Sequence, residues 1–345
     1  MKKPLLARIA AFALLPLTLS HALADATLHV FSWADYVKPE LVTRFEEEND
    51  CKVVIDTFDS AENMYAKLKA GADGYDVVVP TSYIQKVMQA EGMFLPLDPA
   101  KLPNIKNIDP AFLKRLPDAS MATAVPYMVS YNVIAVRSDK ISDLKPTWAS
   151  FARTDLKKRV TLLDDMRESV GAALKSLGHS LNTRDEKELA AARDVLIGWK
   201  KHIAKFDNEG YKSGIDSGEF HLVQGYSGDL WQVAEENPKV KILIPIEGTS
   251  LACDELAILK NSKLADLSHK FIDFLSNPEI AAENMQWTGY YAPNPAALKL
   301  VEPGFLKNPA VSLPPDIQAK CELIEDLGPD LAKYTKIWDE VKAAK

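Results

Sequence analysis

From residue 27 onward, the hydrophobic pattern alternates between period 2, which is typical of strands, and period 3.6, which is typical of amphipathic helices. The first five segments read as strand, helix, strand, helix and strand: TLHVFSW, PELVTRFEEEN, KVVIDTF, SAENMYAKLKAG and YDVVV. Pro39 suits the first turn of the first helix, and Gly71 suits the end of the second. This order predicts βαβ units and a mostly parallel sheet.

A second alternating series follows a Pro-rich segment at residues 94–110. Residues 122–139 are long enough for two strands or for one strand that crosses between domains. Further strands and helices are predicted in RVTLLDD, ESVGAALKSLGHS, FHLVQG, SGDLWQVAEEN, VKILIPIEG and ELAILK, and two helices meet at Asn277-Pro278. Because about 320 residues exceed the usual size of a single core, the two series predict two α/β domains.

The N-terminus predicts an exported protein. A basic head, an apolar run of roughly a dozen residues and the site Ala22-Leu23-Ala24 are typical of a signal peptide over residues 1–24, with Asp25 as the first mature residue. A membrane anchor is the alternative, but the apolar run is too short to span a bilayer. Removing Lys2, Lys3 and Arg8 changes the net charge from −7 to −10. This acidity argues against nucleic acid as a partner and fits a cationic one.

Metal, disulfide and enzyme motifs are absent from the sequence. Cys51, Cys253 and Cys321 are too few and too widely spaced for a disulfide framework, although one bridge remains open. The six His residues show no zinc-binding spacing, and no motif predicts a nucleotide cofactor or a nucleophile. Asp165 and Glu168 could serve as the acid and base of a glycosidase, but nothing near them marks a sugar site.

Aromatic and acidic residues follow the predicted strands of both series. In open α/β sheets, ligands bind beyond the carboxyl ends of the strands. The residues at those ends include Trp33, Asp35, Tyr36, Thr81, Tyr83, Asp165, Glu168, Tyr226, Asp229 and Asp254, with Arg167 as the single basic residue among them. Carboxylates accept charge-assisted hydrogen bonds from ammonium groups, and aromatic faces attract cations. The pattern therefore favours a cleft for a flexible organic cation.

Each of these residues also has an ordinary structural explanation. Trp33 and Tyr36 could be core anchors, and Asp229 could cap a helix. Asp165 and Glu168 could be residues that the helix dipole favours in a first turn, and Asp254 could face solvent on an edge strand. Only their joint occurrence at strand ends supports a binding site.

Six segments resemble the periplasmic substrate-binding proteins of bacterial polyamine ABC transporters, the putrescine and spermidine receptors. They occur in the expected order over nearly the whole mature chain: FSWADYV, MYAKLKAGADGYDVVVPTSYI, VPYMVSYNVIAVRSDKI, GYSGDLWQV, IPIEGTSLACDELAI and FIDFLSNPEIAAENMQWTGYYAPNPAA. The resemblance implies a type II periplasmic-binding-protein fold, in which two mixed-sheet α/β lobes close by a hinge over a cleft. It implies lobes of residues 25–133 with 258–300 and of residues 134–257 with 301–345.

The resemblance also implies roles for the candidate residues. Trp33 and Tyr36 would sandwich the amine chain, with Asp35 lining the same pocket, and Tyr290 would add a further wall. The carboxylates that would hold amines are Asp165, Glu168, Asp229 and Asp254, and Thr81 and Tyr83 match polar residues of the family's site. Two positions depart from the family pattern: Tyr226 and Ala252 stand where a larger ring is usual, which would enlarge the pocket.

The function implied is a monomeric periplasmic receptor that captures a polyamine and delivers it to an ABC permease in the inner membrane, without a cofactor or catalysis. An alternative is a receptor for another small amine or zwitterion, such as agmatine, cadaverine or an amino-acid-like amine. A more distant alternative is an enzyme that acts on amines or glycosides. The sequence leaves the preferred amine open.

Overall fold

Strands and helices alternate throughout the part of the chain that the computed structural model describes, residues 26–309, 311 and 313–344. The predicted signal peptide, residues 1–24, lies outside the described residues. The strands are β1 Thr27–Ser32, β2 Lys52–Thr57, β3 Val77–Val78, β4 Ala124–Arg137, β5 Val160–Leu162, β6 Lys205–Phe206, β7 Leu222–Tyr226, β8 Val240–Leu243, β9 Ser250–Ile258 and β10 Glu322–Leu323. The helices are α1 Pro39–Asn49, α2 Ala61–Lys69, α3 Ser82–Ala90, α4 Pro110–Leu113, α5 Met166–Ser176, α6 Glu186–Lys200, α7 Gly210–Ser217, α8 Ser227–Glu236, α9 Ala265–Ser276, α10 Pro278–Thr288, α11 Pro315–Gln318 and α12 Leu331–Ala343.

One long strand joins the two halves of the molecule. All fourteen residues of β4 are buried, and β4 pairs with β9 up to Tyr131 and with β7 from Asn132 onward. Residues 122–139 therefore contain a single strand that crosses between the lobes. The outer strands are parallel, β1 with β2 and β3, and β5 with β6 and β7, whereas β9 and β4 are antiparallel to their main neighbours. The sheet is thus mixed, which confirms the predicted mixed-sheet lobes, and the first series β1, β2 and β3 is parallel as its βαβ pattern predicts.

The boundaries between the lobes remain a prediction, and the strand pairing favours one change in them. β9 pairs with β3 and with the first half of β4, which both fall within residues 25–133 of the predicted first lobe. Its residues, 250–258, are therefore connected mainly to the sheet of the first lobe. This arrangement favours a boundary at which the chain returns from the second lobe to the first before Ser250, rather than at the predicted position 257/258.

The helices follow the hydrophobic periodicity closely. α1 and α2 begin and end within a residue or two of the predicted segments and bury Leu41, Phe45, Met64 and Leu68. α9 and α10 meet at Asn277, which caps α10 through its side chain and precedes Pro278. In the described part of the chain, no helix combines the length and the apolar character needed to cross a bilayer. The three cysteines are free thiols, so no disulfide links these elements.

Close approach of α8 to the end of α10 places Tyr290 against the cleft. α10 ends at Gly289, whose φ is +74°, and an added Cβ there would lie 2.5 Å from the ring of Trp231 on α8. At Gly228, in the first turn of α8, a Cβ would lie 2.5 Å from the ring of Tyr290. Only glycine fits both positions without displacing an aromatic ring.

Gly289→Ala should lower the melting temperature more than Gly178→Ala, and thermal denaturation followed by circular dichroism measures both. Gly178 has a nearly equal φ of +78°, but no atom lies within 4 Å of its added Cβ. The control therefore carries only the cost of a left-handed alanine, about 1–2 kcal/mol, whereas Gly289→Ala adds about 1–3 kcal/mol of overpacking. Equal melting temperatures for the two variants would contradict the tight packing of α8 on α10.

Candidate ligand-binding site

A cavity of about 100 Å³ lies between the two lobes at the carboxyl ends of the strands. It is several times larger than the space of about 10–15 Å³ that holds one water molecule. Ten of the eleven residues predicted from the sequence line it, and Asp35 is the exception: Trp33, Tyr36, Thr81, Tyr83, Asp165, Glu168, Tyr226, Asp229, Asp254 and Tyr290. Thr81, Asp165 and Tyr226 occupy the N-cap positions of α3, α5 and α8, so several strand-to-helix turns converge on the cavity.

Asp254 forms the acidic group of the first lobe. It lies on β9, is 5% exposed, and accepts hydrogen bonds from Tyr36 Oη at 2.5 Å and from Thr81 Oγ1 at 2.7 Å. The indole N–H of Trp33 approaches the same carboxylate without reaching good hydrogen-bond geometry. Burial raises the pKa of Asp254 to about 6, while the hydrogen bonds act in the opposite direction. The explanation that places Asp254 on a solvent-facing edge is wrong.

Asp165 and Glu168 form the acidic group of the second lobe. Asp165 caps α5 by accepting the backbone N–H of Glu168 at 3.1 Å, and it also accepts a hydrogen bond from Tyr226 Oη at 3.1 Å. Glu168 is 3% exposed and accepts hydrogen bonds from Asn132 Nδ2 at 2.9 Å and from Ser250 Oγ. Burial and the nearby charge of Asp165 raise the pKa of Glu168 to about 7. Asp165 is therefore both a helix cap and part of the cavity wall.

Asp229 accepts hydrogen bonds from two tyrosine hydroxyls and lies near an ammonium group. Tyr211 Oη donates to it at 2.6 Å, Tyr290 Oη donates at 3.1 Å, and Lys212 Nζ lies 3.7 Å from its Oδ1 atom. The two hydroxyls and the ammonium group offset the charge that this side chain presents to the cavity. Of the four acidic candidates in the wall, Asp229 consequently has the least need of a ligand cation.

Asp35 lies at the mouth of the cleft instead of lining the cavity. Its backbone has a left-handed φ of +51°, its side chain is 59% exposed, and its Oδ2 atom lies 3.2 Å from Lys212 Nζ. Asp35 follows β1 and Lys212 lies on α7, so this ion pair bridges the two lobes. Asp35 is therefore not among the residues that line the cavity, and its contact with a ligand stays a prediction.

The aromatic part of the wall contains two groups of contacting rings. Tyr36 contacts Tyr290 and Tyr127 edge to face, with centroids 5.2 Å and 5.6 Å apart, and Trp33 contacts Phe58 at 4.4 Å. Sequence reasoning missed further wall residues: Phe58, Asp59, Ser130, Asn208, Glu209 and Ile324. Phe58 and Asp59 follow β2 and could have been found by the same strand-end rule. Asn208 and Glu209 follow β6, a two-residue strand without a clear hydrophobic pattern.

The cavity combines negative charge with apolar faces. Six acidic residues line it, and none of its lining residues within the described chain is Lys, Arg or His: Asp59, Asp165, Glu168, Glu209, Asp229 and Asp254. In the same described residues, no group of three or more His, Cys, Asp or Glu side chains is placed to hold a metal ion. Carboxylates and rings in this arrangement can bind ammonium groups and pack the methylene groups between them.

The free energy of unfolding of the ligand-free protein should fall as the pH rises from about 4 to about 7. The folded-state pKa values of Asp254 and Glu168 lie above their ordinary values, so the folded state keeps protons that the unfolded state releases in this window. Each unit of difference corresponds to about 1.4 kcal/mol. Urea denaturation at several pH values measures the slope.

Asp254→Asn should remove part of that slope, because asparagine has no proton to lose. The exposed Asp316, at the start of α11, provides the matched control Asp316→Asn, which should keep the slope. An identical slope in Asp254→Asn and in the unsubstituted protein would show that Asp254 titrates normally.

Several known proteins are similar to this chain. The family of bacterial extracellular solute-binding proteins matches residues 40–312. The spermidine/putrescine-binding periplasmic protein of Salmonella typhimurium is 36% identical over 335 residues, which are 96% of each chain. The putrescine/cadaverine-binding protein of Pseudomonas aeruginosa is 32% identical over 349 residues, with 95% of this chain and 98% of the relative covered.

A solved structure has a fold similar to that of this chain. It is described as a putative spermidine/putrescine ABC transporter from Listeria monocytogenes and superposes with a TM-score of 0.85 at 32% identity, covering 92% of this chain and 99% of the other. The resemblance inferred from the six sequence segments and the two-lobed type II fold are both confirmed. This chain belongs to the family of bacterial extracellular solute-binding proteins.

Proposed function

We propose that this protein is a periplasmic receptor that binds a polyamine in the cleft between its lobes and delivers it to an ABC permease of the inner membrane. The observation that carries the proposal is the presence of two separate groups of buried carboxylates in one cavity without basic side chains among its described lining residues. Asp254 forms one group, and Asp165 with Glu168 forms the other. A ligand with an ammonium group near each end would compensate both.

The spacing along β9 supports an elongated ligand. Ser250, which donates to Glu168, and Asp254 lie four residues apart on the same face of this strand. Four residues of extended strand span about 13 Å. Two acidic groups near opposite ends of this segment fit a flexible chain with charged ends better than a compact cation. The rings of Trp33 and Tyr36 lie beside Asp254, where they can pack the methylene groups.

The relatives support the same ligand class and location. Their names specify spermidine, putrescine or cadaverine binding, and the Salmonella protein is named as periplasmic. Residues 1–24 read as a signal peptide, which agrees with export. These names describe solute-binding proteins, which favours a receptor over an enzyme for this chain.

Ala252 favours a ligand that is longer or bulkier than putrescine. It lies between Ser250 and Asp254 on the cavity face of β9, opposite Ser130 of β4. Both side chains are small, so the middle of this wall carries no ring. Spermidine, agmatine and cadaverine are each longer than putrescine and would fill this space better.

Putrescine, spermidine, cadaverine or agmatine should raise the melting temperature of the purified protein, because a ligand that binds only the folded state stabilises it. Asp254→Asn and Glu168→Gln should each weaken amine binding by about 2–5 kcal/mol, since the ligand then loses a buried charged partner. Isothermal titration calorimetry measures the affinities, with Asp316→Asn as the control that should bind normally. The absence of binding to all four amines would contradict the polyamine assignment.

Amine binding should release protons near pH 6 and weaken as the pH falls below about 6 to 7. Burial raises the pKa values of Asp254 and Glu168 to about 6 and about 7, and an ammonium partner favours their charged forms. Titrations in two buffers with different ionisation enthalpies would detect the released protons as a difference in heat. Equal heats together with a constant affinity between pH 5.5 and pH 8 would rule out this coupling.

A further inference from the structure

Beyond Asp165, the cavity continues into an open groove between the lobes. The two spaces share Asp59, Asp165, Asn208 and Glu209 as wall residues. Glu62, in the first turn of α2, lines the groove and lies behind the cavity wall. Its Oε1 atom accepts a hydrogen bond from Tyr83 Oη at 2.9 Å, and Tyr83 lines the cavity itself. Glu62 is thereby connected to the site, although no strand-end pattern in the sequence marks it.

Glu62 and Asp165 approach the groove from opposite lobes. α2 belongs to the first βαβ series, and Asp165 caps α5 of the second series. Burial, together with the negative charge of Asp165, raises the pKa of Glu62 to about 7, and Arg167 acts against this rise. Two carboxylates that face each other in this way repel when both are ionised, so they oppose closure of the empty cleft.

The basic side chains near this pair donate their hydrogen bonds to other groups. Arg167 donates to the backbone oxygen of Glu325 at 2.7 Å and to Asn182 Oδ1 at 2.7 Å. Lys342 donates to Asp164 Oδ1 at 2.6 Å, next to Asp165 in the chain. Among the described residues, neither Glu62 nor Asp165 forms a salt bridge, so Arg167 acts on the two carboxylates only at longer range.

The lobes are nevertheless held close beside these two carboxylates. Asn208 Nδ2 donates to the backbone oxygens of Asp59 and Asp164, at 3.3 Å and 3.1 Å, and so connects the first lobe to the second. Any group that lies between Glu62 and Asp165 therefore contacts both lobes at once. A cation in that position would replace repulsion between the lobes with attraction.

We propose that Glu62 and Asp165 form an interlobe clamp for one ammonium group of the ligand, and that closure of the cleft depends on this bridge. The inference rests on the proposed amine-binding function and assigns a binding role to Glu62. In this arrangement, one end of the ligand meets Glu62, Asp165 and Glu168, whereas the other end meets Asp254. Glu62 then contributes to affinity by joining the lobes through the ligand.

Glu62→Gln tests the clamp by calorimetry with putrescine and spermidine. The affinity for an amine that binds the unsubstituted protein should fall about tenfold or more, since the ligand loses a charged partner. The melting temperature of the ligand-free variant should be unchanged or higher, because the repulsion from Asp165 is relieved. A purely structural role of Glu62 would instead lower that melting temperature and leave the affinity unchanged.

Glu91→Gln is the matched control. Glu91 also belongs to the first lobe and also accepts a hydrogen bond from a tyrosine, Tyr65 Oη at 2.8 Å, but it pairs with Lys69 outside the cleft. The same substitution there should leave amine affinity unchanged. Glu62→Asp, which keeps the charge on a shorter side chain, provides a second variant if Glu62→Gln does not fold, and it should weaken binding to a smaller extent.

Amine affinities of Glu62→Gln and Glu62→Asp within twofold of the unsubstituted protein would overturn the clamp while leaving the proposed function intact. A failure of the unsubstituted protein to bind amines would overturn the proposed function itself, so the two results are distinguishable. In the double variant Glu62→Gln/Asp165→Asn, the loss should be smaller than the product of the single losses, because both carboxylates bind the same ammonium group. Independent losses would count against a shared partner.

Discussion

Burying a carboxylate away from water costs free energy unless hydrogen-bond donors or a cation compensate its charge. This constraint governs the cleft. Tyr36 and Thr81 supply donors to Asp254, and Asn132 and Ser250 supply donors to Glu168, so that neither side chain is left without partners. These donors are neutral, however, and burial still raises the pKa values of both carboxyl groups. A cationic ligand would compensate their charge further, which links the stability of the fold to the occupancy of the site.

The fold delivers these groups to one place through its strand-to-helix turns. Asp165 ends a connection after β5 and caps α5, and Thr81 and Tyr226 hold the corresponding positions before α3 and α8. The positive ends of these helices point toward the cavity and favour the ionised form of nearby carboxylates. A residue that caps a helix can therefore also line a binding site. For Asp165, the structural explanation and the binding-site explanation are compatible.

The strand-end rule predicted most of the cavity wall because it depends only on local pattern and on the direction of the strands. It failed for Asp35, where a left-handed backbone turns the side chain toward Lys212, since sequence does not reveal that conformation. It also missed Asn208, which follows a strand of two residues, and Glu62, whose position matters only when the lobes approach each other. The antiparallel pairing of β4 with β9 was not predicted for a similar reason: both strands are buried throughout, so their sequences lack the alternation that would indicate which strands lie beside them.

β4 and β9 also bear on the order in which a ligand acquires its contacts. A rotation of one lobe about these strands displaces each atom in proportion to its distance from them. In such a rotation, Asp254 on β9 would hardly move, whereas the Lys212–Asp35 ion pair, which joins the two lobes, would break. We expect an arriving ligand to meet the stationary carboxylate first and the bridges at the mouth to form last. The strength of those bridges would then set the residence time of the bound ligand. The accessibility of Asp254 in the open cleft would set how quickly a ligand is captured.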